Sequence, residues 1–235
     1  MNGRIKRVEK APRLNFPFLG KIKCGKMIDK GGKQYPVSVD YFIPTGAYSS
    51  YFTAEYGEAP RTIQVVFLDD DPALVCDERL ELRSKDGKLV SFGDRINFEV
   101  FSDSSGRYEK YSTIEHPELI EKLAKKWQTE WVSNLKMRVL IPKINGVLGY
   151  WEINTKGVNS SIPEITGIFD QIIEDHGHIK GIIFDLNVKM HTSNKPGSKS
   201  RYPVLSLVPN HSVKNLELIQ KHFALGSGDS QNRIG

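Results

Sequence analysis

The chain has 235 residues, 39% apolar and 26% charged, with a net charge of +5 and a pI near 9. That composition can fill a substantial core, and no run approaches the ~18 apolar residues of a membrane span, so an integral helical membrane protein is excluded. Two cysteines, Cys24 and Cys76, are too few for a disulfide scaffold or a cysteine-only zinc site.

Taken in chain order, residues 1–19 are basic, contain Pro12 and Pro17 and lack periodicity. They predict a mobile arm anchored by Leu14, Phe16 and Phe18. Its opening, with Arg4, Lys6 and Arg7, is followed by no apolar stretch, so no secretory signal is expected and the compartment reads as reducing and cytoplasmic. Lys21 to Ile28 alternates polar and apolar residues, Asp29 to Lys33 supplies two turn glycines, and Val37 to Ile43 returns, which predicts a hairpin. Ala47 to Tyr56 fits a short helix closed by Gly57. Thr62 to Leu68 is a buried strand, ended by Asp69-Asp70-Asp71-Pro72 and a helical turn through Val75. Leu80 to Phe101 reads as two or three strands. Pro117 to Trp131 reads as an amphipathic helix with Leu119, Ile120, Leu123, Trp127 and Trp131 on one stripe.

The second half continues with strands at 135–141 and 147–155. A helix follows, with Ser161 and Glu164 spaced for a capping box and Ile165, Ile168, Phe169, Ile172 and Ile173 on its buried face. Strands at 178–190 and 202–208 flank a polar loop, and Ser212 caps a last helix through Phe223. The expected fold is α+β: mainly antiparallel sheet with three to four helices packed on one face. The expected organisation is a basic arm (1–19), a strand-rich unit (20–132), a ββαββα unit (133–225) and a disordered tail (226–235). The two halves have leave to share one sheet.

Charge is unevenly distributed. Residues 1–36 carry ten Lys/Arg against two acids, residues 54–82 carry eight acids against two Arg, and residues 188–201 carry four cations and no acid. The loop from Lys189 to Tyr202 mixes Lys189, Lys195, Lys199 and Arg201 with His191, several hydroxyls and the Tyr202 ring. Those groups suit phosphate contact and stacking, so Lys189, His191, Lys195, Lys199, Arg201 and Tyr202, with Arg4, Lys6 and Arg7 of the arm, are the candidate residues for binding nucleic acid or a partner.

Signs of catalysis are weak. The Asp69-Asp70-Asp71 cluster invites a Mg²⁺ site, but adjacent strand residues diverge and the place before Pro72 suits a cap. His176 and His178 bracket a helix-ending glycine and lack metal-ligand spacing. Cys24 and Cys76 read as small buried hydrophobes. No phosphate-binding loop, nucleophile elbow or dinucleotide fingerprint occurs, so the sequence proposes no catalytic residue, metal or cofactor.

Three stretches carry a resemblance. Gly20-Lys21-Ile22-Lys23 with Gly25 and Pro36 to Phe42 is one; Tyr56 to Phe67 with Asp69-Asp70-Asp71-Pro72 is another; Trp151 to Lys156 with Ser160-Ser161-Ile162 is the third. Together they resemble the recombination directionality factors of phages and integrated elements. The resemblance implies a non-enzymatic accessory that binds a site-specific integrase on DNA in the bacterial cytoplasm and switches it from integration to excision. Its implied partners are the integrase and DNA, the latter weakly or through the integrase. Two other readings stay open: a single-strand nucleic-acid-binding protein using Tyr48, Tyr51, Tyr108, Tyr111 or Tyr202, and a metal-dependent hydrolase using Asp69 to Asp71 with a histidine.

Overall fold

The computed structural model describes residues 14–193, 197 and 200–210. Arg4, Lys6, Arg7, Lys195, Lys199, the helix expected at 212–223 and the tail from 226 lie outside the described residues.

Strand β1 (Phe18–Lys30) and β2 (Lys33–Thr45) form the expected hairpin. Its two-residue turn needs positive φ twice, which Gly31 (φ 63°) and Gly32 (φ 79°) supply, and the Asp29 carboxylate accepts the Gly32 N–H at 3.1 Å. Helix α1 (Ser49–Tyr56) ends at Gly57, as its sequence predicts. Strand β3 (Thr62–Phe67) leads through the short helix α2 (Pro72–Val75) into β4 (Cys76–Arg83). A meander follows: β5 (Leu89–Gly93), β6 (Asn97–Ser102) and β7 (Arg107–Ser112). Helix α3 (Leu119–Trp127), β8 (Val132–Leu140), β9 (Tyr150–Thr155), α4 (Ser161–His176), β10 (Ile183–Thr192) and β11 (Arg201–Pro209) complete the order.

The fold is α+β, and its eleven described strands join one sheet. Strand β8 is the hub. One edge of β8 pairs with β3 at its end and with β4 along Val132–Met137, while the other edge pairs with β9. From β3 the sheet continues to β10 and β11; from β4 it continues through β5 and β6 to β7. Strand β9 runs parallel to β1, so the sheet is mixed rather than uniformly antiparallel. Residue 133, where the sequence suggested a boundary, lies inside β8, which pairs with strands from both halves.

The main core gathers Phe42, Phe67, Val139, Trp151, Ile153, Phe184 and Leu186 from the sheet with Phe52 of α1 and Ile165 and Phe169 of α4. Phe169 meets Phe67 edge-on with ring centroids 5.2 Å apart. Gly20 is required where β1 and β2 close up, because a Cβ there would fall on the Thr45 carbonyl oxygen. A second, smaller core joins Leu82 and Phe98 to Leu119 and Leu123 of α3.

Three local expectations need correction. Helix α3 stops at Trp127, where Gln128 turns left-handed (φ 50°), so Trp131 is not on the helical stripe. Trp131 instead folds back, donating its indole N–H to the Ile120 carbonyl at 2.9 Å and meeting Phe98 edge-on. Both tryptophans are half-buried. The capping box is also absent: Ser160 takes the N-cap position with no side-chain cap bond. Ser161 is fully buried, and its hydroxyl accepts the Leu205 N–H at 2.9 Å, tying α4 to β11. Finally, β10 starts at Ile183 instead of His178, because 179–182 form a turn with Gly181 at φ 84°.

Candidate functional site

The basic candidate residues that the structure describes sit on the β10–β11 hairpin. Antiparallel pairing sets His191 opposite Tyr202, Lys189 opposite Val204 and Thr192 opposite Arg201. Successive strand residues alternate faces, so Lys189, His191 and Tyr202 share one face and Arg201 lies on the other. All four side chains are exposed. The stem is closed beyond them by the Ser193 N–H donating to the Ser200 carbonyl at 2.8 Å. The inward alternates Phe184, Leu186 and Val188 anchor β10 in the core, so the exposed end is held by a buried strand.

A second basic hairpin is its neighbour. Strand β2 packs against β10 and β11. The contact is bridged by the two residues just before β3: the Phe42 N–H donates to the Pro60 carbonyl at 2.8 Å, the Val188 N–H donates to the Arg61 carbonyl at 2.9 Å, and Arg61 pairs with Asp40 at 2.7 Å. The β1–β2 hairpin brings Lys23, Lys26, Lys30 and Lys33. The fold therefore packs the two hairpins together through β2, while the lysines of the first lie on β1 and at the start of β2. The sequence pointed to both basic segments by charge, but in the first it singled out Arg4, Lys6 and Arg7, not the lysines of the β1–β2 hairpin.

The acid cluster is occupied with structure. Asp71 caps α2, its carboxylate accepting the Ala73 N–H at 2.9 Å. Asp69 accepts the Asp71 N–H, and Asp70 accepts the N–H groups of Ile179 and Lys180 at 2.7 and 2.8 Å. The three carboxylates serve a turn, a distant loop and a helix cap. Replacing Asp71 with alanine is expected to cost about 1 kcal/mol in urea unfolding, the usual value of a cap. Calorimetry with Mg²⁺ and Mn²⁺ is expected to show no stoichiometric binding tighter than millimolar; a micromolar site lost on Asp70→Asn would restore the hydrolase reading.

His176 ends α4 and Gly177 takes the left-handed C-terminal position (φ 74°), its N–H donating to the Ile173 carbonyl. His178 contacts the His176 carbonyl through Nδ1 at 3.0 Å. Cys24 is half-buried and Cys76 buried. Burial pushes both thiols up to about 12, so they stay protonated at neutral pH and are poor nucleophiles.

A buried charge cluster on β4 escaped the sequence reading. Glu81 is 3% exposed and lies between Arg79 and Arg83, with ion-pair distances of 3.0 and 2.8 Å. Asn134 donates to the same carboxylate at 3.1 Å, and the Arg79 guanidinium stacks 4.4 Å over Phe92. Burial pushes the Glu81 carboxyl up, but the Arg83 hydrogen bond, the Arg79 and Arg83 charges and the Asn134 amide outweigh it, and the carboxyl sits below its usual range. The available signal was the spacing of Arg79, Glu81 and Arg83, which places all three on one face of a strand.

The tyrosines do not share one groove. Tyr202 is on β11 and Tyr108 and Tyr111 are on β7, at opposite ends of the sheet path. Tyr48 and Tyr51 lie at the start of α1, 6.2 Å apart. A cavity of about 730 Å³ beside α2 is lined by Asp77, Glu78, Arg79, Phe92, Asp94 and Tyr111, among others, and its acidic wall does not suit phosphate. No described helix is long and apolar enough to cross a membrane.

No curated protein and no solved structure matches the chain. A family model does, described as Gp3-like, recombination directionality factor-like, and it spans residues 19–210. That span runs from the start of β1 to just past the end of β11, and so takes in every described strand but the first residue of β1, along with all four described helices. The chain belongs to the Gp3-like, recombination directionality factor-like family.

Proposed function

We propose that the protein is a non-catalytic accessory of phage or mobile-element recombination that binds a site-specific integrase on DNA and directs it towards excision. The observation that carries this reading is the family match across residues 19–210, which covers the described sheet but for Phe18. Two features support it. The exposed Lys189, His191, Tyr202 and Arg201 stand on a hairpin rooted in the core. The acid cluster and both thiols are absorbed into the fold's own structure.

DNA engagement in this reading runs mainly through the integrase, because net charge is only +5 and residues 54–82 form an acidic segment. The test replaces Lys189, Lys195, Lys199 and Arg201 together with alanine. The isolated native chain is expected to bind DNA weakly, and the variant to fail chiefly with the purified integrase of the same element. Nanomolar DNA binding by the isolated chain in physiological salt would contradict this. In that case the variant should flatten the salt dependence by roughly 3–4 log units per log unit of salt, since each phosphate contact carries about 0.7–0.9.

A further inference from the structure

The outer half of the β1–β2 hairpin leaves the sheet. Strand β1 pairs with β9 only over Phe18–Ile22, whereas residues 25–30 and 33–38 pair only with each other. Every residue from Asp29 to Ser38 is exposed. Two strands alone gain little stability in water, yet this pair leaves Met27 (55% exposed), Tyr35 (46%) and Val37 (36%) uncovered. Register puts Lys26, Ile28, Lys30, Lys33, Tyr35 and Val37 on one face, with Met27 and Pro36 on the other. At the base of the arm lies a groove of about 600 Å³, lined chiefly by Lys23, Lys26, Met27, Pro36, Val37 and Ile43 and by no carboxylate. The arm's one acid, Asp29, is engaged by the Gly32 N–H of the turn.

We infer that this arm is the surface that grips the protein partner, and that its groove receives an apolar ridge flanked by carboxylates: an acidic amphipathic segment of the integrase. The inference rests on the integrase reading above. Charge complementarity selects the occupant. Lys23 and Lys26 line the groove and Lys30 and Lys33 stand further out, at the turn end of the arm, and all four attract carboxylates, while Met27, Val37 and Ile43 offer carbon surface that must be covered. Nucleic acid fits less well. Phosphates would satisfy the lysines but leave Met27 and Val37 wet. Strand addition along β2 is also disfavoured, because Pro36 puts a residue without an N–H on β2, whose one described partner is β1. The partner therefore docks through side chains, with the apolar centre holding it and the lysines steering it.

The test uses the full chain and the purified integrase of the same element, with binding followed by surface plasmon resonance at low and high salt. Two variants are compared: Met27→Ser with Val37→Ser, and Lys26→Glu with Lys30→Glu and Lys33→Glu. Both sets of side chains are exposed, and unchanged circular dichroism and melting temperature show that the variants fold. The apolar pair is expected to weaken binding about 30-fold or more, the scale of an interface hot spot. The lysine triple is expected to slow association and to remove most of its salt dependence. Native binding that both variants retain would overturn the arm while leaving the integrase reading intact. An integrase that does not bind the native chain would overturn that reading and this one with it. Submicromolar duplex binding by the isolated chain, abolished by the lysine triple and untouched by the apolar pair, would assign the arm to DNA and overturn the protein partner.

Discussion

Replacing Trp151 with alanine is expected to destabilise the protein by about 3–5 kcal/mol, the range for deleting a fully buried large aromatic. Trp151 is 1% exposed and sits on β9 between its two neighbours, opposite Val139 of β8 and Gly20 of β1. Its ring is 5.9 Å from that of Phe52, so it also seats α1. A Cβ on Gly20 would lie 3.0 Å from the indole, which shows that the glycine makes room for the ring. Three elements, β1, β8 and α1, close on this side chain, and rigid strands on both sides limit collapse into the cavity, which favours the upper part of the range. Urea unfolding measures the loss. Trp151→Phe should recover part of it, and a loss under about 1 kcal/mol would show that the core is assembled otherwise.

The second large effect is expected at Glu81. Glu81→Gln leaves the Arg79 and Arg83 guanidiniums around an uncharged amide. Breaking a buried ion pair in this way costs about 3–5 kcal/mol. Arg83 is 44% exposed and partly solvated, so about 3 kcal/mol is expected. The pH dependence has a definite sign. The folded carboxyl lies below its unfolded value of 4.5, so its contribution is complete above that value. It declines as pH falls below 4.5 and is gone once the folded carboxyl is protonated. Denaturation followed from pH 7 to pH 3 should therefore show the native and Glu81→Gln proteins converging in acid. A constant gap would mean that Glu81 contributes through shape and not through charge.

Much of this architecture was legible in the sequence because the relevant signals are local. Asp29 to Lys33 specifies a tight turn through its two glycines, Asp71-Pro72 a helix start, and Gly177 a helix end. The spacing of Ile165 and Phe169 marks the face that α4 buries. What stayed hidden depends on partners distant in sequence. Strand β7, Arg-Tyr-Glu-Lys-Tyr-Ser, is polar on both faces and carries no alternation; it exists because β6 pairs with it. The parallel β1–β9 pairing joins segments some 130 residues apart, and no local pattern encodes it. Ser161 offered a capping signal, but the Leu205 N–H claims its hydroxyl from across the core. The Pro117 to Trp131 periodicity overran the helix because Trp131 finds Phe98 and Ile120 from outside it.

The candidate site was legible by the same logic. Uncompensated charge in residues 188–201 marked an exposed element, and the hairpin end is exposed. Alternation then sorts Lys189, His191 and Tyr202 from Arg201, a division that composition alone does not give. The projecting β1–β2 arm was readable as a hairpin but not as an arm. Its exposure follows from β9 ending its pairing at Ile22, a fact of the three-dimensional sheet.

The most direct test of the account is recombination in vitro with the purified integrase of the same element. Two substrates are compared: the pair of unrecombined attachment sites and the pair of hybrid junctions that flank an integrated element. The account predicts that integrase alone joins the unrecombined pair, and that adding the full chain makes the junction pair recombine. Junctions that stay inert at every concentration of the chain, with the integrase shown to be active on the unrecombined pair, would contradict it.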